Sequence, residues 1–216
     1  MISHRAFGRC RILIALVCIL FLASPVSAYE FPLSSESIRQ AYFLGQRRDE
    51  ATVHFMQRYV HHLPVPKSGP YIAEVRVQTP FAEVVERSQE TLTYTAQDAV
   101  EEFLGKPGII RISTKIYFTP SYTAILRSEG KGIVLRSEDF WRHFKVRFIQ
   151  GRDIPAETIR GEPLFSSSGK GMREFIGAEL HAEYSIQKVY STTAEIEIIA
   201  PTGNTVETIF DLSKTR

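Results

Sequence analysis

The sequence predicts an α+β fold, with N-terminal helices packed on a predominantly antiparallel β-sheet that forms a sandwich or a partly closed barrel. Two observations support this prediction. Between residues 37 and 63, apolar side chains recur every three or four positions, which is the period of an amphipathic helix. From residue 69 onwards the period changes to two, in segments separated by turns that contain glycine and proline. Alternating segments joined in this way are typical of antiparallel strands.

The helical segment has its own start and stop signals. Ser37 and Gln40 have the spacing of a capping box, in which two side chains satisfy free backbone groups at a helix start. Gly45 and the polar residues 46–49 predict a division into two helices. The prolines that follow Leu63 end the segment, because proline cannot continue the helical hydrogen bonds.

The remainder of the chain is predicted to be rich in strands, with two short helices. Thr79 followed by proline predicts the start of one helix, and Thr95 with Asp98 predicts the start of the other. The stretch 161–174 is predicted to be a surface loop, and Trp141 to be a buried anchor before a strand. The predicted strands are 71–78, 108–118, 133–136, 143–150, 175–186, 193–200 and 205–212.

The first 28 residues have the order of regions that defines a secretory signal peptide. A basic stretch with Arg5, Arg9 and Arg11 precedes an apolar run over 12–23, and small residues lead up to Ala28. The apolar run is shorter than the ~20 residues needed to cross a bilayer. We therefore expect cleavage after Ala28 and a periplasmic or secreted protein without a transmembrane segment.

Cleavage would change the composition of the chain. It would leave 188 of the 216 residues, and the formal charge of +2 would fall to about −1. Cys10 and Cys18 would both be removed, so the mature chain would have neither a disulfide nor a cysteine nucleophile. A nearly neutral chain without a basic run argues against nucleic acid as a partner. The predicted organisation is a signal peptide (1–28), a helical segment (29–68) and a β-rich domain with short helices (69–216).

The stretch "AELHAEYS" (178–185) offers the most specific candidate site. Glu179, His181 and Glu183 alternate, so in a strand they share one face. Imidazole and carboxylate groups bind zinc or manganese, and His143 is the nearest further ligand in type. Alternate residues lie ~6.6 Å apart, however, so a third ligand converges on one ion only with difficulty.

Charge pairing is the interpretation that the same residues favour. If the strand at 143–147 lay beside 179–183, its basic side chains would face the two glutamates. Glu195 and Glu197 are likewise expected to face Arg111 or Lys115.

No nucleotide or other cofactor site is predicted. The segment "SSSGKG" lacks the glycine spacing and the hydroxyl residue of a phosphate-binding loop. A serine nucleophile elbow and a zinc-binding His-Glu-x-x-His helix are also missing from the sequence.

Two further surfaces remain alternatives. The arginines of the helical segment, Arg39, Arg47, Arg48 and Arg58, would suit a helix that lies on a membrane surface. Four tyrosines would suit a recognition surface, since tyrosine is enriched at interfaces; they are Tyr117, Tyr122, Tyr184 and Tyr190.

The segments "AYFLG", "TPFA", "TPSY" and "DFW" together resemble exported bacterial proteins of unknown function, over most of the mature chain. The resemblance implies no activity. The expected function is a non-catalytic envelope or secreted module that binds a protein or another ligand. The alternatives are a metal-assisted hydrolase that uses the Glu179, His181 and Glu183 face, and a carrier that holds an apolar ligand within the sheet.

Overall fold

The computed structural model describes residues 31–121, 138–167 and 173–212. The predicted signal peptide with its cleavage site at Ala28, the strand predicted at 133–136 and Tyr122 lie outside the described residues. The described helices are α1 (Ser35–Arg47), α2 (Glu50–Gln57), α3 (Pro80–Glu90) and α4 (Ala96–Phe103). The described strands are β1 (Val60–His62), β2 (Pro70–Gln78), β3 (Ile109–Phe118), β4 (Lys145–Ile149), β5 (Asp153–Ile154), β6 (Thr158–Ser167), β7 (Arg173–Ser185), β8 (Thr193–Ile199) and β9 (Thr205–Asp211).

The strands form two antiparallel sheets. One has five strands in the order β1-β2-β3-β7-β6, and the other has four in the order β5-β4-β8-β9. The helices lie towards the N-terminal side of the chain, so the predicted α+β class with an antiparallel sheet is confirmed.

The two sheets share one apolar core. Alternation buries Ile110, Ile112 and Ile116 of β3, as the sequence predicts. From the other sheet, Phe148 of β4 meets Tyr184 of β7 edge to face, with ring centroids 5.1 Å apart. Trp141 lies in a 3-10 turn (Phe140–His143) before β4 and packs against this core.

A second core lies among the helices. Ile38 and Ala41 of α1 are fully buried, as are Val84 and Val85 of α3. Phe103 of α4 belongs to the same cluster. This core takes side chains from both sides of the boundary predicted at residue 68.

The structure corrects the predicted start of the first helix. The side chain of Ser34 caps α1 by accepting a hydrogen bond from the backbone N–H of Ser37. Ser37 itself lies inside the helix and is buried. Gln40 pairs with Glu36 instead of reaching back to a cap.

The helical segment also ends earlier than its periodicity suggests. It divides at Arg48, which has a left-handed backbone (φ 49°), and Asp49 caps α2. The helix prediction is wrong after Gln57, because β1 pairs with β2 there and places His61 opposite Val75. The cooperative pairing of strands outweighs the three- and four-residue spacing of the apolar side chains.

The prediction of a loop over 161–174 is also wrong for the residues that the structure describes, 161–167 and 173–174. Residues up to Ser167 belong to β6, which pairs with β7. Glycine, proline and serine make the segment look irregular, but Pro163 is tolerated because β6 is the last of the described strands in its sheet. The two short helices start as predicted, with Thr79 capping α3 and Thr95 forming a capping box with Asp98 in α4.

Candidate functional site

The outer face of the five-stranded sheet carries the residues that the sequence singles out. We call this surface the polar face. It consists of the side chains that β2, β3, β7 and β6 turn away from the shared core. The register sets these side chains in rows across the sheet. The rows are Gln78, Arg111, Glu183 and Thr158; Arg76, Ser113, His181 and Arg160; and Glu74, Lys115, Glu179 and Glu162.

His181 is half-buried near the middle of the polar face. Its Nδ1 atom lies 2.8 Å from Oγ of Ser113, the residue directly opposite it on β3. Burial lowers the pKa of His181, because leaving water disfavours the charged imidazolium, while the charge of Glu179 opposes the change. The folded chain therefore favours a neutral imidazole that is hydrogen-bonded to a hydroxyl group.

Glu183 is held by two arginines. Its Oε1 atom lies 3.2 Å from Nε of Arg111 and 3.3 Å from a terminal nitrogen of Arg160. Only 15% of its side chain is exposed, so both contacts form in partial shelter from water. Arg111 also donates to Oε1 of Gln78 at 2.9 Å, which extends the cluster to β2.

Glu74 is the centre of a second cluster. Its carboxylate lies 3.1 Å from Nζ of Lys115 and 3.7 Å from Nε of Arg76. Nδ1 of His62 on β1 approaches the same carboxylate at 3.6 Å. Arg76 donates in turn to Glu86 of α3 at 2.8 Å, and this bond ties the helix to the sheet.

Glu179, His181 and Glu183 thus share one face, as the alternation predicts. Lys115 and Glu162 are the residues opposite Glu179 on the neighbouring strands. His143, the further metal ligand considered from sequence, lies in the turn before β4 of the other sheet. Within the ranges that the structure describes, no three or more His, Cys, Asp or Glu side chains are grouped so as to hold a metal ion.

Charge pairing across strands does occur, but the partners differ from those expected. β7 lies between β3 and β6, so Glu183 meets Arg111 and not the basic residues of β4. β4 lies beside β8 and β5, so Arg147 pairs with Glu197 and with Asp153. Strand neighbours are set by the topology of the sheet, which residue spacing does not contain.

The Ser113–His181 pair contains two groups that nucleophilic catalysis uses. A hydroxyl hydrogen-bonded to a neutral imidazole is the arrangement of a nucleophile and its base. Both residues, however, lie in the middle of paired strands and are direct neighbours in the register. Ser113 is only 8% exposed. The register alone explains this hydrogen bond.

The edge of the five-stranded sheet at β6 is the second candidate site, and we call it the open edge. β6 has ten residues and pairs with β7 alone among the described strands. Ile159 is 51% exposed and Phe165 is 41% exposed. The sequence does not reveal this site, because most of β6 falls in the stretch 161–174 that is predicted to be a loop.

The hydrogen bonds of the sheet determine which backbone groups the open edge presents. The N–H of Ile186 donates to the carbonyl of Gly108, so the even-numbered residues of β7 bond towards β3. Its odd-numbered residues then bond towards the even-numbered residues of β6, up to the register shift between Leu164 and Phe165. The backbone groups of Ile159, Gly161 and Pro163 consequently point away from β7.

Trp141 lies beneath the middle of the open edge. A Cβ atom added to Gly161 would come within 2.3 Å of the indole ring, so only glycine permits this contact. Arg160 and Glu162 flank Gly161 and extend on the polar face. The centre of the open edge therefore carries no side chain, and it is flanked by the cation of Arg160 and the anion of Glu162.

The tyrosines that would form the predicted recognition surface differ in their exposure to solvent. The recognition-surface prediction is wrong for Tyr184, which is 1% exposed and belongs to the core. Tyr117 is half-buried beside Tyr71, and Tyr190 is exposed.

The apolar side of helix α1, which also bears Arg39 and Arg47, is buried inside the protein. Ile38, Ala41 and Gly45 are buried in the helical region. Arg47 pairs with Asp49, and Arg48 donates to the carbonyl of Gln89. In the described part of the chain, no helix is long and apolar enough to cross a membrane.

An apolar ligand would need a cavity. The shared core of the sheets is occupied by side chains of both sheets. A shallow pocket with a volume of only about 20 Å³, open to solvent, lies beside the helices. It is lined by Phe31, Leu33, Pro80, Glu83, Phe103, Lys106, Pro107 and Ile109.

Comparison with known proteins identifies no relative: no family model, no curated protein and no solved structure matches the chain.

Proposed function

We propose that the mature chain, processed after Ala28, is an exported, non-catalytic module that binds a protein through the open edge. In this proposal an extended segment of the partner adds to the five-stranded sheet beside β6. The observation that carries the proposal is the ten-residue strand at the end of the sheet, with its outward backbone groups and the exposed side chains of Ile159 and Phe165.

The physics of strand addition supports this choice of surface. Backbone hydrogen bonds to an edge strand supply affinity, and the alternating side chains supply selectivity. Sheets usually protect their edges with short strands, charges or proline. Of the other described edge strands, β1 and β5 have three and two residues and β9 has seven, whereas β6 has ten.

The open edge also carries features that limit indiscriminate pairing. Pro163 removes one outward N–H, and Arg160 and Glu162 place charges next to the backbone. An edge of this kind accepts a segment with matching charges and resists general aggregation.

The polar face supports the non-catalytic part of the proposal. Glu74, Glu183, Arg76 and Arg111 bind one another or neighbouring side chains. His181 is bonded to Ser113. These groups form a structural layer that already has internal partners.

Site-specific photo-crosslinking in cells that naturally make the protein tests the proposal. A photoreactive phenylalanine analogue at position 165 should form adducts with a specific protein, while the same analogue at Tyr190 should form none. Ile159→Pro should abolish the adducts because it removes an outward N–H, whereas Ile159→Val retains that N–H and should preserve them. Mass spectrometry of the recovered chain should find Tyr29 as its first residue.

The absence of adducts at position 165 contradicts binding at the open edge. Adducts that survive Ile159→Pro contradict strand addition as the mode of binding. A recovered chain that still carries residues 1–28 contradicts processing after Ala28.

A further inference from the structure

We infer that the partner at the open edge is a second copy of this chain, paired antiparallel through β6 about a two-fold axis at Gly161. This inference rests on the proposed function, since it uses the same edge. It joins the two five-stranded sheets into one continuous sheet, with both polar faces on the same side.

The charges beside Gly161 select the register. With the axis at Gly161, Arg160 of each copy lies opposite Glu162 of the other, so two opposite-charge pairs form on the polar face. Moving the axis to Arg160 sets the two arginines against each other. Moving it to Glu162 sets the two glutamates against each other. Side chains directly opposite must share a face, so these are the nearest alternative registers.

The backbone groups suit the same register. The outward residues are Ile159, Gly161 and Pro163, so the Gly161 residues of the two copies bond to each other through both N–H and both C=O groups. Each Ile159 N–H donates to the carbonyl of Pro163 in the other copy. Proline has no N–H, so the reverse bonds are missing. Pairing is therefore strongest at the axis and weaker outside it, which favours a reversible dimer.

The opposite side of the joined sheet is apolar. Ile159, half-exposed in one copy, meets Pro163 of the second copy there. Trp141 lies directly beneath Gly161 in each copy, so the two indole rings approach each other near the axis. Trp141 is the only tryptophan in the chain, and its fluorescence reports on this interface.

Charge reversal with rescue tests the inference on the mature chain, residues 29–216, purified without a tag. Sedimentation equilibrium at a chain concentration of about 100 µM should find a reversible dimer, as expected for a weak association. Arg160→Glu and Glu162→Arg should each weaken association by about tenfold or more, because both cross-axis pairs become like-charged. The double variant restores opposite charges and should associate within about threefold of the wild type. Trp141 fluorescence should change over the same concentration range.

A matched control is Glu207→Arg on the edge strand β9, which changes an exposed charge at another edge. It should leave association unchanged. Circular dichroism of each variant separates loss of pairing from loss of folding. Glu162→Arg is the cleaner single variant, since Arg160 also contacts Glu183.

A chain that stays monomeric at about 100 µM overturns the inference. Equal association of the wild type and both single variants, or failure of the double variant to recover, overturns the register. If the chain is monomeric while photo-adducts with another protein depend on Ile159, self-pairing is wrong and binding at the open edge stands. If both the dimer and the adducts are absent, both proposals are wrong.

Discussion

At the scale of single residues, the polar face shows how half-buried charged and polar groups are accommodated. Glu183, with 15% of its side chain exposed, has two arginine partners. Ser113 and His181 satisfy each other through one hydrogen bond. A buried polar group without a partner costs about 1–3 kcal/mol of folding free energy. The main effect of each of these pairings is therefore to avoid that cost, and its net contribution to stability is smaller.

His181 leads to a prediction about pH. Burial lowers its pKa in the folded chain below the ordinary histidine value of 6.5. The unfolded chain therefore binds the proton more tightly, and this contribution to stability is complete above pH 6.5 and is lost as the pH falls through the folded pKa. We expect the free energy of unfolding to decrease less between pH 7 and pH 5 in His181→Gln than in the wild type. Denaturant unfolding at each pH, with Gln retaining a hydrogen bond to Ser113, measures the difference.

Equal decreases in the two proteins would contradict a lowered pKa. An NMR titration of the His181 ring protons gives an independent value for the folded chain, which we expect below 6.5.

At the scale of elements, α1 comes close to α3 at Gly45 of α1. A Cβ atom there would lie 1.9 Å from Oγ of Ser88 and 2.3 Å from the carbonyl oxygen of Val85. The second contact is with backbone, which cannot rotate away. The packing of α1 on α3 therefore depends on the absence of a side chain at this position.

The substitution Gly45→Ala has two opposing effects on stability, one from helix propensity and one from overpacking. Replacing glycine by alanine inside a helix stabilises it by about 0.5–1 kcal/mol. Overpacking a well-packed contact costs about 1–3 kcal/mol. We expect a net loss on the order of 1–2 kcal/mol in the free energy of unfolding, measured by denaturant titration. Arg39→Ala, at an exposed position of the same helix, is the control and should change it by less than about 0.5 kcal/mol.

A Gly45→Ala protein as stable as the wild type would show that α1 and α3 separate without cost. The expected loss with an unchanged Arg39→Ala protein would assign it to the contact with Val85 and not to helix propensity.

The elements that could be predicted from sequence are those whose capping residues or alternating side chains lie within the element itself. Thr95 and Asp98 form a capping box, and the side chains of β3 alternate between core and polar face, although Ser113 on the polar face is also buried. The missed strands lack such signals. β1 has three residues and continues a helical spacing, while β6 contains glycine and proline and depends on β7 for its hydrogen bonds.

The candidate sites follow the same division. Alternation placed Glu179, His181 and Glu183 on one face, because the period of a strand is local information. Their partners Arg111, Ser113 and Arg160 lie far away in the chain and depend on which strands are neighbours. The open edge could not be predicted, since an edge is defined by the strand that is missing beside it.

At the scale of the whole molecule, the two cores are joined by short covalent and hydrogen-bonded connections. The N–H of Val77 donates to the carbonyl of Tyr59 at 2.9 Å, and β2 continues directly into α3 at Thr79. Glu86 of α3 accepts from Arg76 of β2. These links tie the helical core to the five-stranded sheet along the C-terminal part of β2.

We therefore expect the helical core and the sheet core to unfold together. Ile38 is fully buried in the helical core, and Ile38→Ala should lower the free energy of unfolding by about 2–5 kcal/mol. Circular dichroism at 222 nm follows the helices, whereas Trp141 fluorescence follows the sheet core, against which this side chain packs. In one cooperative transition both signals shift to the same lower denaturant midpoint. A midpoint that shifts in circular dichroism while the Trp141 signal stays at its wild-type position would instead show two cores that unfold independently.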